Sequence, residues 1–215
     1  MRNVLAILVF ALAAFSCQSA KDEYSIKGSI DGVDKGKIYL QKLVDGQPKT
    51  VDSTELSGGK FSFKGKMDIP DFRLLRLNDR EYFAQFFLDD ASVTVAAKKD
   101  SLRATKITGS PTNDVFRAYV AEMDKLSKEV MGIQEKYQSA MSTGNADAAN
   151  KAKIDYQAMM DNNKVFTKNF IKEHSNSVVS AFILLQYASQ LESNDVADIV
   201  SKFAPEIDKS EYVVK

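Results

Sequence analysis

The spacing of apolar residues along this chain changes near residue 110. Across residues 24–108 apolar and polar residues alternate, as at Tyr24, Ile26 and Ile30, and a period of two is typical of strands with one buried face. Beyond that point apolar residues recur at spacings of three and four, the period of an amphipathic helix. A single switch between the two patterns predicts an α+β fold in which the sheet precedes the helices.

Turn signals divide the β segment, among them Asp45-Gly46 and Ser57-Gly58-Gly59, where glycine reaches positive φ without steric cost. The runs between the turns predict strands over residues 24–30, 37–44, 50–56, 61–64, 72–77, 81–88, 92–97 and 104–108. Seven or eight short strands at this spacing favour an antiparallel β-sandwich or an open barrel.

The segment 110–215 predicts a helical domain that begins with a long αα-hairpin. Ser110 and Pro111 suit the cap and first turn of a helix, and Gly144-Asn145 separates two amphipathic stripes. A third helix is expected to open at Asn176-Ser177 and to be buried on most sides, because residues 178–185 are almost continuously apolar. A fourth is expected to start with Ser193 or Asn194 as its cap, run from Asp195 to about Phe203 and end before Pro205.

Several residues admit both a structural and a functional interpretation. The aromatic cluster Phe83, Phe86 and Phe87 favours a core position over a ligand groove. Among Arg73, Arg76 and Arg80, the first two are expected on opposite sides of a strand, which favours solvated edges over an anion site. His174 is expected to interact with the C-terminus of the second helix rather than to carry protons.

The composition excludes several functions. The 29 basic and 29 acidic side chains balance, so no nucleic-acid partner is expected. With one Cys and one His, the chain has no internal disulfide, no Cys-x-x-Cys motif and no zinc site of the usual type. No nucleophile–base pair or carboxylate pair is selected by its spacing, so we expect no metal, no cofactor and no enzymatic activity. An independent hydrolase, which would need such a pair, is kept as an alternative beside the two functional hypotheses given below.

The N-terminus has the pattern of a lipoprotein signal peptide over residues 1–16. Arg2 is followed by an apolar run from Val4 to Phe15, which is too short to span a membrane. The run Ala14-Phe15-Ser16 before Cys17 resembles a bacterial lipobox, which predicts lipid attachment at Cys17 and anchoring to a membrane. The alternative is an incidental Cys17 next to an ordinary cleavage site at Ala20.

Residues 17–23 are expected to form a lipidated tether. Lys21-Asp22-Glu23 resembles the signal that exports some Bacteroidetes lipoproteins to the cell surface, and the alternative is a polar tether with chance charges. The expected location is therefore the cell envelope, at the outer membrane, on its periplasmic or surface face.

The order of four motifs carries a family resemblance. They are Asp52-Ser53-Thr54 leading to the run 59–65, then Phe87-Leu88-Asp89, then 109–113, and finally 175–180. Together they resemble the N-terminal domain of unknown function of Bacteroidetes envelope thiol–disulfide oxidoreductases of the TlpA or AhpC/TSA type. The resemblance implies a following thioredoxin-like domain with a Trp-Cys-x-x-Cys motif. Because this chain has no Trp and no second Cys, no catalytic residue of that family maps onto it.

Two functional hypotheses follow. The first is a non-catalytic cell-envelope lipoprotein that binds or positions an envelope protein partner. The alternative is the N-terminal half of a split or truncated thiol–disulfide oxidoreductase, whose thioredoxin-like domain lies outside this chain.

Overall fold

Eight strands form one sheet in the computed structural model, which describes residues 22–78 and 82–213. The predicted signal peptide, Cys17 and most of the tether lie outside the described residues. The strands are β1 Glu23–Asp31, β2 Lys35–Val44, β3 Gln47–Ser57, β4 Lys60–Lys66, β5 Asp71–Leu77, β6 Tyr82–Leu88, β7 Ser92–Lys98 and β8 Lys106–Thr108.

The sheet order is β6-β5-β2-β3-β4-β1-β7-β8, which curls into a nearly closed barrel. A 3₁₀ segment, Lys99–Ala104, contacts both β6, at one edge of the sheet, and β7, the neighbour of the other edge strand β8. The predicted α+β class and open barrel are confirmed, with one difference. Strands β1 and β7 pair in parallel, with Ile26 opposite Val93, so the sheet is mixed rather than antiparallel throughout. The alternation of apolar and polar residues indicates which face of a strand is buried. It is the same in parallel and antiparallel strands, so it could not predict the direction of this pair.

The barrel interior is filled by apolar side chains from nearly every strand. Ile26, Ile38, Leu40, Leu75 and Phe86 are fully buried there. Phe83 belongs to the same cluster, whereas Phe87 faces outward beneath the helices and is also fully buried. The interpretation of these phenylalanines as core residues is therefore confirmed.

Four α-helices follow in the described part of the chain: α1 Pro111–Ser142, α2 Ala146–Glu173, α3 Val178–Tyr187 and α4 Ser193–Val200. The predicted caps are present at α1 and α3, where Ser110 accepts a hydrogen bond from the Asn113 amide and Ser177 accepts one from the Val179 amide. None of the helices in the described ranges has the length and apolar character that crossing a membrane requires.

The last helix differs from its prediction. It begins at Ser193 behind Glu192, which makes no side-chain cap, and it ends at Val200 rather than near Phe203. Ion pairs from α2 hold this helix. Lys172 of α2 and Lys202, which lies just beyond the end of α4, both donate to Asp198, and these hydrogen bonds lower the pKa of that carboxyl to about 2.

The helices share a second core with the outer face of the barrel. Phe72 and Phe87 from β5 and β6 pack with Phe116, Phe182 and Tyr212 at ring-centroid distances of 5.1–6.4 Å. Helix α3 is buried along most of its length in this cluster, as its continuous apolar sequence predicts. The barrel and the base of the helical region are therefore held together by one aromatic cluster.

Candidate functional site

The most exposed apolar part of the described chain is the outer half of the hairpin formed by α1 and α2. These helices have 32 and 28 residues, or roughly 48 and 42 Å at 1.5 Å per residue. At their base, Phe116, Tyr119, Phe166 and Phe170 join the core shared with the barrel. Among the described residues, neither core cluster includes an apolar residue between Met123 and Met160. The outer half of the hairpin therefore stands apart from both cores.

A regular seam joins the two helices. On α1 it runs through Tyr119, Met123, Leu126, Val130, Ile133, Tyr137 and Ala140, and on α2 through Ala149, Ala152, Tyr156, Met159, Asn163, Phe166 and Phe170. The alternating spacing of three and four is that of a coiled coil. The seam is only partly buried, since the side chain of Tyr156 on it is 44% exposed.

Two grooves flank the seam and differ in charge. One side of the seam is formed on α1 by the residues that directly follow every second seam residue, namely Ser127, Gln134 and Met141. Here a groove of about 590 Å³ is lined by Val130, Ile133, Gln134, Tyr137, Ala152, Lys153, Tyr156 and Gln157. We call it the apolar groove, and Lys153 is the only charged side chain among the described residues that line it. On the other side, a groove of about 520 Å³ is lined in part by Glu122, Glu129 and Asp155, and we call it the acidic groove.

Helix α3 covers the base of the hairpin on the side of the apolar groove. Thr167, which follows the seam residue Phe166, is fully buried there, whereas Asn169 on the opposite side is exposed. The Asn163 amide on the seam donates a hydrogen bond to the Tyr187 hydroxyl at the end of α3. Beyond that point the apolar groove continues without α3, and Met131 and Met141 near it are 58% and 59% exposed.

A polar network at one end of the barrel joins distant parts of the chain. Asp71 receives hydrogen bonds from Arg73, from the Phe72 amide at 2.8 Å and from the Tyr212 hydroxyl, 141 residues away. Arg73 and Arg76 lie on opposite faces of β5. Arg73 pairs with Phe86 of β6, and Arg76 pairs with Tyr39 of β2 and lies over its ring. The expected solvation of Arg73 is wrong, because its side chain is 11% exposed and paired with Asp71. Arg80 lies outside the described residues.

Burial and the neighbouring Asp71 carboxylate raise the pKa of Tyr212 well above its usual value. The unfolded chain releases this proton near pH 10 and the folded chain retains it, so stability should fall as the pH rises above 10, by at most about 1.4 kcal/mol per pH unit. In Tyr212→Phe this contribution is absent. We expect the stability advantage of the wild type to be constant below about pH 9.5 and to shrink toward pH 11, as measured by urea unfolding. Parallel stability curves for the two proteins across this range would contradict the assignment.

Two sequence motifs meet where the barrel joins the hairpin. The Ser110 hydroxyl lies 2.9 Å from an Asp89 carboxylate oxygen, and the Thr112 amide donates to the same oxygen at 3.1 Å. The Asn113 side-chain oxygen accepts from the Phe87 amide at 3.2 Å. Asp89, Ser110 and Asn113 are all buried, so this network orients α1 on β6 rather than presenting groups to a substrate.

The remaining predicted positions are located as follows. His174 caps the C-terminus of α2, where its Nδ1 lies 2.9 Å from the Phe170 carbonyl oxygen and its ring stacks on Phe170. The structural interpretation of His174 is thus confirmed. Cys17, the predicted site of lipid attachment, lies outside the described residues, and its lipidation stays a prediction. Within residues 22–78 and 82–213, no three His, Cys, Asp or Glu side chains are grouped so as to hold a metal ion.

The barrel, its junction and the projecting hairpin define a β-barrel domain with a helical extension. Residues 24–116, the barrel and the first turns of α1, match the family model of a domain of unknown function, DUF4369. This match confirms the N-terminal domain of unknown function. No curated protein matches the chain.

Proposed function

We propose that this chain is a non-catalytic cell-envelope lipoprotein, anchored through Cys17, whose hairpin binds and positions an envelope protein partner. The observation that carries the proposal is the outer half of the hairpin, which exposes Met131, Met141 and Ile154 at 58–69% and bears two lined grooves. An apolar groove on a projection that lies outside both cores is the kind of surface that binds a protein partner. The sequence around Cys17 supports the anchor.

The anchor is tested by the intact mass of the native protein extracted from the cell envelope with detergent. We expect the mass of residues 17–215 plus acyl groups, and we expect Cys17→Ser to abolish the acyl mass and the membrane association together. Cleavage after Ala20 without acyl groups would contradict lipidation. A thiol–disulfide or hydrolase activity of the purified mature chain would contradict the non-catalytic role.

A second candidate is the N-terminal half of a thiol–disulfide oxidoreductase of the TlpA or AhpC/TSA type. It is favoured by the DUF4369 match together with the ordered motifs, two of which meet at the Asp89–Ser110 contact. In this case the barrel and hairpin would place a thioredoxin-like domain. The same mass measurement discriminates, since a species heavier by a further domain of roughly 100–150 residues would favour the redox protein.

A further inference from the structure

We propose that the apolar groove binds one amphipathic helix of a protein partner, laid along the outer half of the hairpin as a continuation of the side that α3 covers at its base. The proposal rests on the proposed function, because it specifies how the hairpin holds its partner. The acidic groove on the opposite side is not part of this site.

The first step is the arrangement within the chain itself. Helix α3 already packs against the bases of α1 and α2 on this side, where Thr167 is fully buried and Asn163 bonds to Tyr187. The hairpin therefore already holds one helix, α3, in the groove between α1 and α2. The seam continues with the same spacing beyond α3, so the surface offered to a further helix has the same geometry.

The second step is the size of the uncovered groove. On α1 its lining runs from Val130 to Tyr137, which is roughly 10 Å at 1.5 Å per residue. About two turns of helix match that length, and a longer partner helix would extend beyond both ends of the groove. A groove of about 590 Å³ with an apolar floor accommodates a row of side chains at helical spacing.

The third step is the chemistry of the lining. The floor residues Val130, Ile133 and Tyr156 call for an apolar stripe on the partner helix. Lys153 on the rim, whose ammonium lies 5.6 Å from the Tyr137 ring centroid, favours a carboxylate opposite it. Among the residues that the structure describes, no carboxylate lines this groove. Two copies meeting on this side would therefore bring Lys153 to the interface twice without an acidic counterpart from the groove lining, which favours a different chain over self-association.

The test uses the mature chain, residues 17–215, produced without its signal so that Cys17 is unmodified and no detergent competes for the groove. The probe is a labelled 18-residue helical peptide with Leu at coiled-coil spacing, Gln on its flanks and one Glu placed to meet Lys153. A matched peptide carries Lys in place of Glu. Binding is measured by fluorescence anisotropy and located by the NMR signals of ¹³C-labelled methionine methyl groups. Five of the methionines lie in the hairpin and Met67 lies in the barrel, which provides an internal control.

We expect saturable binding with shifts at Met131 and Met141 and none at Met67. The Glu peptide should bind roughly two- to fivefold more tightly than the Lys peptide, as for an exposed ion pair, and Lys153→Glu should reverse that preference. Gln134→Asp places a carboxylate on the groove rim and should weaken binding about tenfold by charge repulsion and desolvation. Ser139→Asp adds the same charge to the same helix away from the lining and should leave binding unchanged.

Three results would overturn the proposal. The first is no saturable binding up to about 1 mM peptide. The second is binding that shifts Met67 or is unaffected by Gln134→Asp. The third is a sedimentation profile showing a dimer whose Met131 and Met141 signals change with protein concentration, which would assign the groove to a second copy. Because the chain used is not lipidated, failure here leaves the lipidation test intact, and failed lipidation leaves this test intact.

Discussion

Replacing Phe87 by Ala should destabilise the protein by about 3–5 kcal/mol, which is the usual cost of removing a fully buried ring from a core. Phe87 is 0% exposed, and its ring packs against those of Phe72, Phe116 and Phe182 at 5.3–5.6 Å and of Tyr212 at 6.4 Å. These rings come from the barrel, α1, α3 and the C-terminal segment. The cavity would therefore open in the aromatic cluster that packs the helices on the sheet.

The measurement is the shift in the urea midpoint, with Phe87→Leu and Val120→Ala as matched variants. Phe87→Leu retains most of the buried volume and should lower the free energy of unfolding by less than about 2 kcal/mol. Val120→Ala alters a partly exposed side chain and should lower it by less than about 1 kcal/mol. Hydrogen exchange should show α3 losing protection before the barrel in the Phe87→Ala variant. A loss below about 1 kcal/mol would show that the aromatic cluster does not hold the helices on the barrel.

Much of the fold follows from local patterns. The eight predicted strands and the observed ones agree within a few residues because alternation and Gly-containing turns act locally, as at Ser57-Gly58-Gly59. The start of α1 follows from Ser110 and Pro111 for the same reason. The end of α4 does not, because beyond Val200 the amides of Lys202 and Phe203 donate to carbonyls three residues back, Ile199 and Val200, and no local pattern indicated this tighter turn.

Long-range pairings were outside the reach of the sequence. Nothing near Ile26 indicates that β1 runs parallel to β7, and nothing near Tyr212 indicates its hydrogen bond to Asp71. Both contacts join residues that are far apart in the chain, 67 positions for Ile26 and Val93 and 141 for Asp71 and Tyr212, and local patterns do not encode such contacts.

The sequence predicted the hairpin that carries the candidate site but not which part of the hairpin is uncovered. The amphipathic stripe through Tyr119 and Tyr137 predicted the hairpin, and its two flanks differ in charge already in the sequence. What the stripe could not predict is that α3 covers only the base of the hairpin, and this arrangement is what leaves Met131 and Met141 uncovered.

The second large effect is expected for Gly109→Ala, which should cost on the order of 3 kcal/mol or more. Gly109 connects β8 to α1 with φ +99°, a conformation that costs other residues about 1–3 kcal/mol. An added Cβ would also stand 2.2 Å from the Ser92 carbonyl oxygen and 3.3 Å from its carbon. Since the obstacle is backbone of a paired strand, it cannot move aside as a side chain would. Relief requires β7 or the start of α1 to shift, which would strain the buried contact between Ser110 and Asp89.

Gly144→Ala provides the matched control. Gly144 also has positive φ, +66°, but no atom lies within 4 Å of the added Cβ, so this variant isolates the conformational cost of about 1 kcal/mol. Urea unfolding of both variants separates the two contributions, and the difference between them measures the steric conflict at Ser92. If Gly109→Ala were no more destabilising than Gly144→Ala, the close approach of the β8–α1 connection to β7 would be wrong. The orientation that the junction gives to the hairpin would then need another explanation.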